Sequence, residues 1–211
     1  MITLDQVEKA RRNYASLLRQ FMIEGNSYHD RAPLLPHNLI RNCQLIVDRY
    51  ELLKLIPKHG ICAEIGTDKA AFAKKILELT DPKKLHIFEL DTSRIEYENI
   101  QIAIEVGKCS VVEGDSAVNL SKFDDCFFDW VYIDGDHRYG GVKKDLEIAA
   151  QKVKQDGLIV LNDYTTWSPV GMTHCGVARA VNEFCIENNY ELIFMAFQTM
   201  FYNDVVIRRV D

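Results

Sequence analysis

Two short polar clusters, each placed directly after an apolar run, carry the side chains of this sequence that are best suited to chemistry. The apolar runs cover residues 128–133 and 157–161, and a helical pattern lies between them. The polar residues that follow these runs are Asp134, Asp136, His137, Asn162 and Asp163. Apolar runs that alternate with helices form parallel sheets, whose successive strands end at the same edge. Both clusters should therefore meet at one edge, which is where open α/β sheets bind ligands.

Three earlier predicted strands also end in polar residues. Glu64 and Gly66 close the first, and the backbone freedom of Gly66 lets a nucleotide-type cofactor approach; an ordinary strand-to-helix turn is the alternative. Glu89 near the end of the second strand can accept both hydroxyl hydrogens of a ribose. Asp115 and Ser116 follow the third strand, where Asp115 can accept from an adenine amino group or cap the next helix.

Acidic side chains at five strand ends crowd like charges together, which is unfavourable unless a cation or the donors of a ligand meet them. The crowding therefore predicts a binding site at this edge. A dinucleotide fingerprint would need glycines where Asp68 and Ala71 stand, so a nicotinamide cofactor is disfavoured.

Composition narrows the partners. The chain has 211 residues, 47% of them hydrophobic, and a formal net charge of −6. This acidic balance disfavours a nucleic-acid partner and favours a small-molecule substrate. Six cysteines without a Cys-x-x-Cys pair suit reduced thiols in the cytoplasm. Neither a signal peptide nor a membrane-spanning run is visible, so we expect a soluble cytoplasmic protein without a membrane partner.

The order of elements predicts the fold class. Two helical patterns, near residues 3–24 and 39–53, come first, and we interpret residues 1–57 as a helical cap or oligomerisation segment, or as a simple cover for the sheet. Residues 58–211 alternate strands and helices and end in two strands near 190–197 and 202–209. This pattern predicts a Rossmann-like, doubly wound α/β sheet of about seven strands, mostly parallel with one antiparallel strand.

The motifs at these strand ends resemble class I S-adenosylmethionine-dependent methyltransferases. The segments that carry the resemblance, within residues 60–209, are 64–66, 114–116, 133–139 and 162–164, together with Glu89 and Gly157. More narrowly, they resemble the branch that includes macrocin-type sugar O-methyltransferases and cephalosporin hydroxylase-like proteins.

The resemblance implies S-adenosylmethionine across the strand ends. Glu64 and Gly66 would border its methionine part, Glu89 its ribose, and Asp115 with Ser116 its adenine. In one respect the sequence departs from the family, because Asp68 follows the first motif, where Lys69 or the methionine ammonium would have to offset its charge.

The resemblance also implies a metal site. Metal-dependent members hold magnesium at positions that match Asp134, Asn162 and Asp163 of this chain. Magnesium is the ion that carboxylate and amide oxygens favour, and calcium and manganese are the alternatives. Asp136 matches a position proposed as general base, and His137 is an equal candidate because imidazole titrates near neutrality. A helix-start or supporting role is the alternative for His137.

Three functional hypotheses follow. The first is a magnesium-assisted O-methyltransferase for a small hydroxylated molecule, acting as a monomer or a homo-oligomer. The second is a metal-independent methyltransferase that uses Asp136 or His137 as its base. The third is a non-catalytic binding module with the same fold, supported by the altered first motif.

Overall fold

The computed structural model describes residues 1–26 and 31–210. Its contacts divide the chain into two compact units, Met1–Arg31 and Ala32–Asp211. The boundary therefore falls earlier than residue 57, and residues 32–57 contribute secondary structure to the second unit. The role of residues 1–57 as a helical cap or oligomerisation segment stays a prediction.

The first unit contains one helix, α1 (Leu4–Ile23). Its N-terminus has a capping box, in which the Gln6 N–H donates to Thr3 Oγ1 and the Thr3 N–H donates to Gln6 Oε1. None of the residues of α1 is buried within the described chain.

Among its described residues, the second unit contains ten strands and six α-helices. Its strands are β1 (Gln44–Ile46), β2 (Ile61–Ile65), β3 (Lys84–Glu89), β4 (Cys109–Glu113), β5 (Phe128–Ile133), β6 (Val153–Leu161), β7 (Trp167–Ser168), β8 (Thr173–His174), β9 (Tyr190–Ala196) and β10 (Asp204–Arg209). Its helices are α2 (Arg49–Leu55), α3 (Ala71–Thr80), α4 (Gln101–Glu105), α5 (Ser116–Leu120), α6 (Tyr139–Lys152) and α7 (Val177–Asn188). Short 3-10 helices lie at His37–Leu39, Thr92–Arg94, Tyr97–Asn99 and Thr199–Phe201.

Eight strands form one sheet in the order β1-β9-β10-β6-β5-β2-β3-β4, and β7 pairs with β8 in a separate hairpin. Strand β10 runs antiparallel to both neighbours, and the other pairs of the large sheet are parallel. The predicted doubly wound fold with one antiparallel strand is confirmed, with eight strands in place of about seven.

The additional strand corrects the predicted helix over residues 39–53. Asp48 accepts hydrogen bonds from the N–H groups of Tyr50 and Glu51 at 2.8 Å each, so α2 begins only at Arg49. Upstream of this cap, β1 pairs with β9, about 150 residues later in the chain. Two 3-10 turns, Thr92–Arg94 and Tyr97–Asn99, precede the short helix α4.

Both faces of the sheet are covered. Alternate residues of one strand enter different apolar clusters: Val131 and Ile133 pack with α6 and α7, whereas Trp130 and Tyr132 pack with α2 and α3. Strand β2 lies between β3 and β5, so the chain reverses its direction of winding there. Doubly wound sheets open a ligand crevice at such a switch point.

Across residues 1–26 and 31–210, no helix combines the length and apolarity of a membrane span.

Candidate active site

A cavity of about 500 Å³ opens at the switch point. Its walls are the carboxyl ends of β2, β3, β4 and β5 and the beginnings of α5 and α6. Predicted site residues that line it are Gly66, Glu89, Asp115, Ser116, Asp134 and Asp136. The structure therefore brings the polar ends of four strands to one cavity.

Gly66 is required by the backbone at this place. Its φ is +77°, and a Cβ atom there would lie 2.3 Å from the carbonyl oxygen of Asp134. The neighbouring loops are joined by a hydrogen bond from the Asp134 N–H to the Ile65 carbonyl at 2.7 Å. Gly66 thus lets the ends of β2 and β5 meet below the cavity.

Glu89 holds the loop that follows β2. Its Oε2 accepts hydrogen bonds from the N–H groups of Thr67 at 2.8 Å and Asp68 at 3.0 Å. Its Oε1 lies 3.3 Å from the N–H of Asp91, whose own carboxylate caps the 3-10 helix that follows. Glu89 therefore faces the cavity as a fixed acceptor, and its contact with a ribose stays a prediction.

The charge of Asp68 is balanced by a residue that the sequence did not indicate. Asp68 Oδ1 lies 2.5 Å from a guanidinium nitrogen of Arg94, whereas Lys69 pairs with Glu96 at 2.7 Å. Of the two alternatives for offsetting Asp68, Lys69 is hydrogen-bonded to a different carboxylate, and Arg94 forms the direct ion pair instead. The departure from the family motif is compensated within the chain.

Asp115 has the capping role. Its Oδ1 accepts from the Val118 N–H at 3.0 Å, and its Oδ2 pairs with Lys144 at 2.8 Å. The ion pair with Lys144 lowers the pKa of Asp115. Ser116 donates its hydroxyl to Oδ1 of Asp145 at 2.6 Å. Asp145 belongs to α6, is 6% exposed and lines the cavity.

Glu64 is almost completely buried behind the cavity wall, with 1% of its surface exposed. The Thr67 hydroxyl donates to its Oε2 at 2.7 Å. Burial raises the pKa of Glu64 to about 8, and the negative charges of Asp134 and Glu89 act in the same direction. Glu64 is therefore a neutral carboxylic acid near pH 7.

His137 lies between the two predicted acidic ligands. Its Nε2 is 3.3 Å from Asp134 Oδ1 and 3.8 Å from Asp163 Oδ2, and it is buried without a well-aligned hydrogen bond. Burial alone would lower the pKa of His137, but the nearby Asp134 and Asp163 outweigh that effect and raise it. Asp163 adopts a left-handed backbone with a φ of 56°. The structure thus brings together the ends of β5 and β6, as predicted.

Asp136 is engaged by its neighbour. Its carboxylate accepts from Arg138 at the backbone N–H, at Nε and at a terminal nitrogen, over 2.7 to 3.0 Å. These bonds lower the pKa of Asp136. The two base candidates therefore differ: the charge of Asp136 is offset by Arg138, whereas His137 faces carboxylates.

Asn162 belongs to a buried network that the sequence did not reveal. Its amide nitrogen donates to Asp204 Oδ1 at 3.0 Å, and Tyr132 donates its hydroxyl to Asp204 Oδ2 at 2.6 Å. Arg49 from α2 joins this network: it hydrogen-bonds to the Tyr132 hydroxyl and lies 3.6 Å from Asp134 and 3.5 Å from Asp204. Its guanidinium also stacks on an aromatic ring of α3 at 3.7 Å.

The residues predicted as metal ligands all present oxygen atoms. Within the described residues, no group of three His, Cys, Asp or Glu side chains is arranged to hold a metal ion. The predicted set is different, since it combines two carboxylates, of Asp134 and Asp163, with the amide of Asn162. Both carboxylates approach the same buried atom, Nε2 of His137. An all-oxygen set of this kind suits a hard divalent cation.

Comparisons with known proteins agree with this architecture. Residues 63–164 match a family model described as "Methyltransferase domain". The chain has a methyltransferase fold. It is similar to the tRNA methyltransferase TrmK of B. subtilis, with a TM-score of 0.57 and 16% identity over 79% of this chain and 67% of that one. It is also similar to a proposed O-methyltransferase from Klebsiella pneumoniae, with a TM-score of 0.55 and 17% identity over 76% of both chains.

Two further matches cover less of the other protein. Spermidine synthase from Thermotoga maritima aligns with a TM-score of 0.56 and 15% identity over 78% of this chain, which spans 58% of the synthase. An 18.0 kDa class I heat shock protein from Daucus carota is 27% identical over 70 residues, which are 33% of this chain and 44% of that protein. This short match does not establish a shared family.

Proposed function

We propose that the protein is an S-adenosylmethionine-dependent methyltransferase that methylates a hydroxyl group of a small molecule. The observation that carries the proposal is the position of His137, whose Nε2 approaches Asp134 and Asp163, since Asp134 lines the same cavity as Glu89. Methyl transfer from a sulfonium requires in-line positioning and, for a hydroxyl acceptor, removal of a proton. The cavity would provide the in-line positioning, and the cluster around His137 would remove the proton.

The cavity suits a nucleoside with an attached amino acid. Glu89 is held by two backbone N–H groups at the edge where a ribose would bind. Gly66 brings the floor of the cavity close to β5. S-adenosylmethionine, when bound, supplies the methyl group on its sulfonium. The acceptors and the backbone surface that the protein contributes are already held in place before the cofactor binds.

His137 is the general base in this proposal. Its Nε2 is turned toward Asp134, so Nδ1 is the ring nitrogen that remains to accept a proton from the substrate hydroxyl. A carboxylate at Nε2 holds this tautomer and stabilises the imidazolium that forms. Asp136 is less suited, because Arg138 already occupies its oxygens.

Metal assistance is the second part of the proposal. Asp134, Asn162 and Asp163 would hold a magnesium ion, because carboxylate and amide oxygens are the ligands that it favours and these residues follow the neighbouring strands β5 and β6. A divalent cation lowers the pKa of a hydroxyl bound to it. In the metal-independent alternative, His137 alone removes the proton.

The experiment is a methyl-transfer screen that measures S-adenosylhomocysteine released from S-adenosylmethionine with sugars and catechols as acceptors, with and without EDTA. We expect turnover with an acceptor, a loss of about a hundredfold or more in His137→Ala, and a smaller loss in Asp136→Asn. Loss of turnover with EDTA, restored by Mg²⁺, supports metal assistance, whereas unchanged turnover supports the metal-independent alternative. A wild-type protein that binds the cofactor but turns over none of these acceptors would contradict O-methylation and favour a binding module.

A further inference from the structure

Asp145 is a buried carboxylate in the cavity wall with unused acceptor capacity. It lies on α6, is 6% exposed and lines the cavity. Its Oδ1 accepts the hydroxyl of Ser116 at 2.6 Å. Among residues 1–26 and 31–210, no group donates a hydrogen bond to its Oδ2.

The described neighbours of Asp145 do not supply a second donor. Lys144, the cation nearest in sequence, pairs with Asp115 at 2.8 Å. Asp115 and Asp136 place further negative charge nearby, and burial raises the pKa of Asp145. A carboxylate in such a place is costly unless a donor reaches it. Solvent in the open cavity supplies such a donor in the free protein, and a ligand that displaces this solvent must supply one in its place.

The place of Asp145 in the fold indicates which part of a ligand it meets. Glu89 ends β3 at the ribose position, and the cavity continues past Gly114 and Ser116 toward α6. Phe88 supplies apolar lining on the same side. The base of a nucleoside whose ribose binds at Glu89 would therefore extend toward Asp145.

Both oxygens of Asp115 already accept a hydrogen bond, so Asp115 is less available to the base than Asp145 is. One of its oxygens caps α5 and the other pairs with Lys144. Asp145 has one oxygen occupied by Ser116 and one oxygen without a donor. The acceptor for a base amino group is thus provided from α6, about 30 residues after Asp115.

We propose that Asp145 accepts a hydrogen bond from the exocyclic amino group of the cofactor's adenine and thereby selects a 6-amino purine over a 6-oxo purine. The inference rests on the proposed use of S-adenosylmethionine. An ionised carboxylate only accepts hydrogen bonds, so a 6-oxo group would face it as a second acceptor. Selection then arises from an unfavourable pairing as well as from a lost bond.

The test compares S-adenosylhomocysteine with S-inosylhomocysteine, which carries oxygen in place of the 6-amino group, by isothermal titration of the full-length protein. A hydrogen bond to a charged group predicts that the wild type prefers the adenine form by at least about tenfold. In Asp145→Asn the amide can donate to the 6-oxo group, so the preference should fall to within about threefold. Asp129→Asn removes a carboxylate that accepts from Ile61 and Lys154 at the opposite end of β5, and should keep the wild-type preference.

The outcomes separate this inference from the proposed function. A wild type that binds neither compound contradicts the cofactor assignment itself. A wild type that binds both equally overturns the role of Asp145 alone, and this measurement needs no variant to fold. Retention of the preference in a folded Asp145→Asn, or its loss in Asp115→Asn instead, would also overturn the inference.

Discussion

Replacement of Glu64 by glutamine should stabilise the protein near neutral pH. Glu64 is 1% exposed, and burial raises its pKa from 4.5 in the unfolded chain to about 8 in the folded protein. Between these values the folded protein keeps its proton while the unfolded chain releases it, so stability falls as pH rises. The two pKa values correspond to a loss of about 3 kcal/mol between pH 4.5 and pH 7. Glutamine does not titrate, and Glu64→Gln should avoid this loss.

The assay is urea denaturation of both proteins from pH 4.5 to pH 8. The difference in unfolding free energy should grow by about 3 kcal/mol toward pH 7, which corresponds to roughly 6–12 °C in melting temperature for a chain of this size. Glu78→Gln, which changes a solvent-exposed carboxylate paired with Lys75, should show no such growth. A difference that stays constant with pH would show that Glu64 is ionised in the folded protein.

Three further stability predictions concern the sheet and its edge, each measured by urea denaturation. Gly66→Ala should lower the free energy of unfolding by about 3 kcal/mol and Gly107→Ala by about 1 kcal/mol. Both glycines have a φ of +77°, but only a Cβ at position 66 would meet backbone atoms. Equal losses in the two variants would refute the close approach. His86 has its pKa lowered to about 4, mainly by burial, so the unfolded chain binds the proton first on acidification. Because the ring is only partly buried and solvent screens its charge, about 1 kcal/mol should be lost by pH 5, and His86→Gln should lose none of it. Arg49→Met should lower the free energy of unfolding by about 3 to 5 kcal/mol, because Asp204, which is 0% exposed, then keeps no counter-charge. The added change Asp204→Asn should recover part of this stability, and no recovery would refute the pairing.

The central strands β2 and β5 could be predicted because each is a short apolar run that is buried on both faces. The apolar run at 128–133 coincides with β5, and the run at 157–161 forms the second half of β6. The same local signal failed for β1, whose apolar spacing also fits a helix. What makes it a strand is pairing with β9, which a local pattern does not contain. The cap at Asp48 was the one local sign that a helix begins late.

The site could be predicted as a location but not as a set of contacts. The fold requires successive strand ends to meet, so the proximity of Asp134 and Asp163 followed from the order of elements. Which oxygen is free depends on neighbours from other elements. Lys144 and Arg138 determine what remains available on Asp115 and Asp136, and neither pairing has a sequence signature.

Three residues at or behind the cavity were missed for the same reason. Asp145 is an ordinary helix residue in the sequence, and Asp204 begins a closing strand. Arg49 comes from the N-terminal part that was interpreted as a cap, yet it contacts Asp134 at 3.6 Å. An arginine in an amphipathic helix is usually solvated, so the pattern gave no reason to place it there.

The central claim is that the cavity at the switch point binds S-adenosylmethionine through Glu89. Isothermal titration of the wild type and of Glu89→Ala with S-adenosylhomocysteine tests it most directly. The account predicts saturable binding of one molecule per chain, weakened by about ten- to a hundredfold in the variant, because two hydrogen bonds to a charged acceptor are lost. Equal affinity in the two proteins would contradict the assignment of Glu89, and no saturable binding by the wild type would contradict the claim itself.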